Sequence, residues 1–393
     1  VNIAGPKKIV LLGMMTKMPV AGVVWQTAHY LVGLRRLGYD VYYVEAHART
    51  PSMLMERPED DGTARAAAFI DTVCRRFDLA GKWAYHALHE PDAPVLGMSD
   101  TALRSLYREA HVIINLHGGT LPLPEHYATG RLVYLETDPV QLQIELYENN
   151  PETIAFLEPH CAFFTFGENY GRPGCGLPVS TRFKFYPTRQ PVVLDFWNHL
   201  GIPPGDKFTT IGNWEQRWRE VIFRGETYYW SKHHEFMKVI DLPARLAGKA
   251  TLELALASYD AETEAMLRGK GWYVTPAEEI SWDADLYRTY ITRSRGEFTV
   301  AKDQNVRLRS GWFSDRTATY LAAGRPVVVQ DTGFGDVLPT GKGLLTFRTI
   351  EEAAAAVEAI STDYVAHAAA TSAIAHDYFD AVIVLSQLLT RCS

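Results

Sequence analysis

Arg307 and Arg309 stand two residues apart in a polar loop that also carries Lys302, and Ser310-Gly311 follow them directly. Ser314 is then spaced to cap a short helix, Asp315 to Ala323, which Gly324 closes and Arg325-Pro326 prevents from continuing. The first turn of such a helix has unpaired N–H groups and a partial positive charge. Cations and a glycine just upstream make that end a site for an anion, most naturally a diphosphate. The ordinary alternative is a strand-loop-helix-strand unit whose arginines pair with surface carboxylates. A second set of reactive side chains lies in the first half. His117 ends the apolar run His111 to Leu116, and Glu136 and Asp138 follow Arg131 to Leu135. Residues beyond the carboxyl ends of parallel strands face the ligand crevice. His117 is the candidate nearest a reacting centre there, and Asp138 or Glu136 a candidate base for an acceptor hydroxyl. Their ordinary roles are a loop histidine bonded to backbone and, for Asp138-Pro139, a turn or helix N-cap. His233-His234 are adjacent rather than four apart, so no zinc site is expected.

The segment GWFS…TATYLAAGRPVVV…DTG resembles the nucleotide-sugar-binding region of two-domain GT-B glycosyltransferases. The family's A-G-x-P-V-V ending stands here as Ala323-Gly324-Arg325-Pro326-Val327-Val328. Ala21-Gly22 sits where a Gly-Gly pair opens a helix in many members. The resemblance implies transfer of a sugar from a nucleoside diphosphate donor to a hydroxyl or amine of a small molecule, with no metal or cofactor. It implies a donor site made of Gly22, Gly212, Asn213, Lys302, Arg307, Arg309, Ser310, Gly311, Ser314 and Gly333. Asp331 and Thr332 would hold sugar hydroxyls, and Trp272 and Tyr273 the base. Two departures bear on donor identity: Thr319 stands where many members carry a glutamate, and the paired-glutamate signature of one large subgroup is missing. The same fold also serves epimerases, phosphorylases and proteins that bind a nucleotide sugar without chemistry.

Composition sets the outer bounds. A chain of 393 residues makes about two or three domains. With 47% hydrophobic and 22% charged residues it is an ordinary globular sequence. Its net charge of −7 argues against nonspecific nucleic-acid binding. The four cysteines, Cys74, Cys161, Cys175 and Cys392, lack metal-ligand spacing and are expected as reduced thiols. No apolar run reaches a membrane span's length, and VNIAGPKK has no signal-peptide core, so a soluble cytoplasmic protein is expected.

These elements imply an α/β architecture of two Rossmann-like, doubly wound domains facing across a cleft. Lys8 to Met14, a helix from Val24 to Leu37 and Tyr39 to Glu45 make a first βαβ unit. The glycine-rich loop Asn169 to Gly176 has no evident purpose. Phe185 to Pro191 and Gly201 to Gly205 read as an interdomain connection. The expected division is an acceptor domain over 1–190, a linker over 191–205, a donor domain over 206–362 and a helical region over 363–393 packing back on the first domain. The tryptophan-rich stretch Trp214 to Trp230 suits either stacking on a base or sugar or an aromatic core.

Overall fold

The computed structural model describes residues 5–198, 202–217 and 219–392. The expected linker's Gly201 and the Trp218 of the tryptophan-rich stretch lie outside them.

The first sheet is built from β1 (Lys8–Leu12), β2 (Asp40–Ala46), β3 (Trp83–His86), β4 (Val95–Leu96), β5 (Val112–Leu116), β6 (Leu132–Glu136), β7 (Ala162–Thr165) and β8 (Phe185–Pro187). Its spatial order is β4-β3-β2-β1-β5-β6-β7-β8, parallel except for the β3–β4 pair. The second half adds β9 (Lys207–Asn213), a hairpin of β10 (Val221–Phe223) and β11 (Glu226–Tyr228), then β12 (Thr251–Ala257), β13 (Tyr273–Pro276), β14 (Gly296–Thr299), β15 (Val327–Gln330) and β16 (Leu344–Phe347). Its six-stranded sheet runs β13-β12-β9-β14-β15-β16 and is parallel throughout. Runs such as IVLL and VVV belong in strands covered on both faces, which is why they lack polar alternation. In each sheet the chain starts in the middle, winds one way, and then crosses back to wind the other. The switch points therefore lie beside β1 and β9, where a crevice opens at the carboxyl ends.

Three expectations need correction. Phe185 to Pro187, read as the start of the connection, is the eighth strand: Phe185 is buried and Pro187 needs no ladder donor at the edge. The polar loop after β14 is a helix over Asp303–Arg307, which turns Arg307 away from Lys302. The tryptophan-rich stretch folds partly as the β10–β11 hairpin.

The carboxyl-terminal region is also not one piece. Helix Tyr364–Ile374 stays with the second sheet, where His367 Nδ1 accepts from the Gly343 N–H at 3.1 Å. After a π-helical turn over Ala375–Phe379, helix Ala381–Leu389 packs on helix Ala21–Arg36 of the first domain. Val192 bonds both ways across this join, to Phe379 at 2.7 Å and from Ala381 at 2.9 Å. Gly33 makes the close approach possible: a Cβ there would stand 2.6 Å from Leu385 Cδ1 and 2.9 Å from Ala381 Cβ. Gly33→Val is expected to cost about 1–3 kcal/mol by overpacking, read as a lower thermal midpoint. An unchanged midpoint would mean that the two helices are not docked this closely in solution. Among the described residues no helix is long and apolar enough to cross a membrane.

Candidate active site in the interdomain cleft

The carboxyl ends of both sheets meet at a cavity of about 460 Å³. The first domain contributes Met18, Val20, Gly22 and Gln26 from the loop and helix after β1. The second contributes Gly212 and Asn213 at the end of β9, Ala257 and Ser258 after β12, and Glu278, Ser281 and Trp282 after β13. Helix Asp315–Ala322 points its first turn into the same space through Ser314, Asp315, Arg316 and Thr319. Ser314 has the extended backbone of an N-cap, yet its side chain makes no capping bond. Ser314 thus leaves the donors of that turn uncapped by its hydroxyl, as an anion site requires.

Arg316 is fixed on three sides. Its Nε donates to Glu297 at 2.7 Å and Nη2 to the Thr299 hydroxyl at 2.9 Å, and Nη1 donates to the Ile211 carbonyl just before Gly212. Asp315 accepts from Gln26 Nε2 across the cleft at 2.8 Å, and burial pushes its carboxyl up to about 7.

Beyond this helix lies a cluster of cations. Lys302 forms an ion pair with Asp138 of the first domain, and its ammonium lies 3.0 Å from the centroid of the Trp230 ring. Arg219 lies 4.7 Å from the same ring and has no carboxylate partner among the described residues. The Lys232 ammonium makes no hydrogen bond or salt bridge among the described residues either. Burial, with Arg316 and Lys302 nearby, holds its ammonium well below the ordinary lysine range. An aromatic face stabilises a cation without neutralising it. The cluster therefore places cations next to Arg316, which lines the cleft.

On the first domain, His117 occupies a left-handed backbone position at φ 64° after β5. Its Nδ1 is 2.9 Å from the Thr137 hydroxyl, its Nε2 has no partner, and burial lowers it to about 4. Asp138 has one oxygen on Lys302 and the other, Oδ1, unpartnered. Glu136 does not reach the cleft. It is buried in the sheet, takes both its oxygens' bonds from Gln143 at 3.2 and 3.1 Å, and burial raises its carboxyl well above the usual range.

The structure separates several other expected site residues from the cavity. Arg307 turns to the hairpin, pairing with Glu226 and lying 4.1 Å from the Tyr228 ring centroid. Arg309 pairs with Asp331 at 3.4 Å and Asp336 at 3.6 Å. Asp331 is further held by Arg348 at 2.7 Å and the Gly333 N–H at 2.7 Å, and the Thr332 hydroxyl donates to the Trp312 carbonyl at 2.6 Å. Ser310 is buried and bonds Asn305 at 2.8 Å. Gly311 and Gly333, both at positive φ, make room for Asn169 of the first domain: a Cβ on either would stand within 2.6 Å of it. Asn169 donates to the Gly333 carbonyl at 2.8 Å, and its N–H to Ser310 at 3.1 Å. The glycine-rich loop after β7 thus braces the two domains. Trp272 is core, with its indole N–H on the Ile240 carbonyl at 2.8 Å, and Tyr273 lies over Lys207. Both stand at the amino end of β13, whereas Trp282, beyond its carboxyl end, lines the cleft.

Gly22, Gly212, Asn213 and Ser314 thus line the cavity, and Lys302, Asp138 and His117 belong to the centre beside it. Arg316, Lys232, Arg219 and Trp282 are additions. Arg316 was within reach of sequence reasoning, two residues after the recognised N-cap position. The other three carry no local signal.

This architecture, two Rossmann-like domains closing on a cleft at their switch points, is the GT-B fold. No profile of a known family matches the chain, and no curated protein matches its sequence. Among solved structures it is similar to Anabaena HepE in complex with UDP-glucose, at 13% identity and TM-score 0.56, covering 98% of each chain. It is also similar to an alpha-glucosyltransferase in complex with UDP and DNA, at 9% identity and TM-score 0.58, covering 99% of this chain and 100% of that one. A third likeness is to a UDP-forming trehalose-phosphate synthase from Burkholderia xenovorans, at 10% identity and TM-score 0.53, covering 98% and 99%.

Proposed function

We propose that this chain is a glycosyltransferase that moves a sugar from a nucleoside diphosphate donor to a hydroxyl or amine of a small molecule. The observation that carries the reading is the cation cluster of Lys232, Lys302, Arg219 and Arg316 beside the helix start, in which the Lys232 ammonium has no salt-bridge partner among the described residues. A desolvated charge is costly unless something pairs with it. A diphosphate does so, and the uncapped helix start adds N–H donors. The similar structures named above contain UDP or a UDP-sugar, or form UDP, which agrees with this reading.

In the reaction, the bond between the anomeric carbon and the diphosphate oxygen breaks and the diphosphate leaves with the electron pair. Lys232, Lys302, Arg219 and Arg316 stabilise that charge as it develops, which lets the site work without a metal. The acceptor oxygen bonds to the anomeric carbon and its proton passes to the first domain. Asp138 is the base, through the Oδ1 that has no protein partner. His117, neutral at pH 7, orients the acceptor through Nε2. Trp282 and Glu278 meet the nucleoside end of the donor at the opposite edge of the cavity.

A thermal-shift screen against UDP-, dTDP-, GDP- and ADP-sugars, with and without magnesium, tests this. A donor at about 100 times its dissociation constant should stabilise the fold by about 2.7 kcal/mol. The shift is expected to be the same without magnesium and to survive in Arg309→Ala, whose guanidinium is spent on Asp331 and Asp336. No shift with any of the four would remove the reading.

A further inference from the structure

Asp138 and Lys302 belong to different domains, one following β6 and the other following β14, and they are in direct contact. Trp230 lies against the ammonium, and next to the pair the Trp312 indole N–H donates to the Thr137 carbonyl at 3.0 Å. Two bonds therefore cross the cleft at one point. Of the four cations at this end of the cleft, Arg316 has Glu297, Lys302 has Asp138, and Lys232 and Arg219 have none. Asp138 also lies within electrostatic reach of Arg219 and Lys232. It is the negative charge that the first domain brings to the cluster.

We infer that Asp138 is the internal counter-ion of the diphosphate site, and that an incoming diphosphate displaces it from Lys302. The inference rests on the function proposed above. The exchange follows from charge: a diphosphate brings at least two negative charges and several acceptor oxygens, where Asp138 offers one charge and one bonded oxygen. Lys302 passes from carboxylate to phosphate, and Asp138 is released with both oxygens free in the same event that loads the donor. The base is then available only when a donor is in place. Before that, Asp138 competes with the ligand for Lys302, and the apparent affinity is reduced by the fraction of molecules in the paired state.

The two roles give Asp138→Asn an unusual signature. A carboxylate acting only as a base would leave donor affinity unchanged, and one acting only as a structural tie would weaken it. A counter-ion in competition with the ligand must, when neutralised, strengthen it. Titration calorimetry of the full chain with inorganic pyrophosphate and with UDP is expected to show about tenfold tighter binding to Asp138→Asn than to the unmodified protein. KM for the donor falls with it while kcat drops. The ligand-free variant melts lower, because Lys302 has lost its partner, yet gains more from saturating pyrophosphate than the unmodified protein does. Asp138→Ser should behave alike if the asparagine variant folds poorly, and Lys302→Met should bind pyrophosphate more weakly. Equal or weaker binding to both Asp138 variants overturns the inference and leaves the proposed function standing. Failure of the unmodified protein to bind any diphosphate overturns both.

Discussion

Replacing Lys232 with methionine should make the ligand-free protein more stable and deprive it of its donor. The ammonium has no hydrogen-bond or salt-bridge partner among the described residues. Burial lowers its pKa well below the ordinary lysine range, Arg316 and Lys302 push the same way, and Glu297 and Asp138 only partly oppose them. A group held like this costs the folded state free energy, and methionine keeps the stem's packing while removing the charge. The expected gain is about 1–2 kcal/mol, with a loss of about 10²–10³ in transfer rate, typical of one removed charge-stabilising donor. The pH dependence fixes the sign. Between the lowered folded pKa and the ordinary lysine value the unfolded chain binds more protons, so the unmodified protein gains stability as pH rises through that window. The variant should lose that part of the slope. Melting curves at pH 7 and 9, each with and without UDP, measure all of this. A Lys232→Met protein that melts lower and still responds to UDP would show that the ammonium is structural.

Arg316→Ala should have the opposite effect on stability and the same effect on the donor. Glu297 is fully buried, its Oε2 already lacks a partner, and Arg316 supplies the bond to Oε1. Breaking a buried pair by removing one member costs about 3–5 kcal/mol, a fall in melting temperature on the order of 10 °C for a domain of this size. The Ile211 carbonyl before Gly212 and the Thr299 hydroxyl lose their donor as well. The loss of donor binding could then be blamed on the fold. Arg316→Met combined with Glu297→Gln separates the two, since it removes both charges and keeps the volume. It should recover most of the stability and none of the nucleotide-induced shift. If the double variant binds donor normally, Arg316 is only a strut beneath Gly212.

The parallel sheets were readable because a strand covered on both faces is a nearly continuous apolar run, as in IVLL, VIINL and VVV. Where that rule weakens, reading failed. Phe185–Pro187 is an edge strand that tolerates a proline, and β10 and β11 form a small hairpin outside the main sheets. The site was legible in part for a related reason. A helix start after a strand is a local pattern, so Ser314 and the turn behind it could be found. Gly311 and Gly333 show how little such a signal specifies: a glycine at positive φ reports that a neighbour comes close, and here that neighbour is Asn169. Trp272 and Tyr273 misled because the length of β13 decides which end they occupy.

The sequence by itself determined that two parallel sheets would present their carboxyl ends and a helix amino terminus to a common crevice, because period, turn residues and strand burial are local properties. Only the tertiary structure decided which cations face that crevice uncompensated. Lys302 meets a carboxylate 164 residues away, Gln26 reaches Asp315 across 289, and Arg307 and Arg309 are neutralised by Glu226, Asp331 and Asp336. A charge is spent or available according to what folds against it, and no local pattern records that.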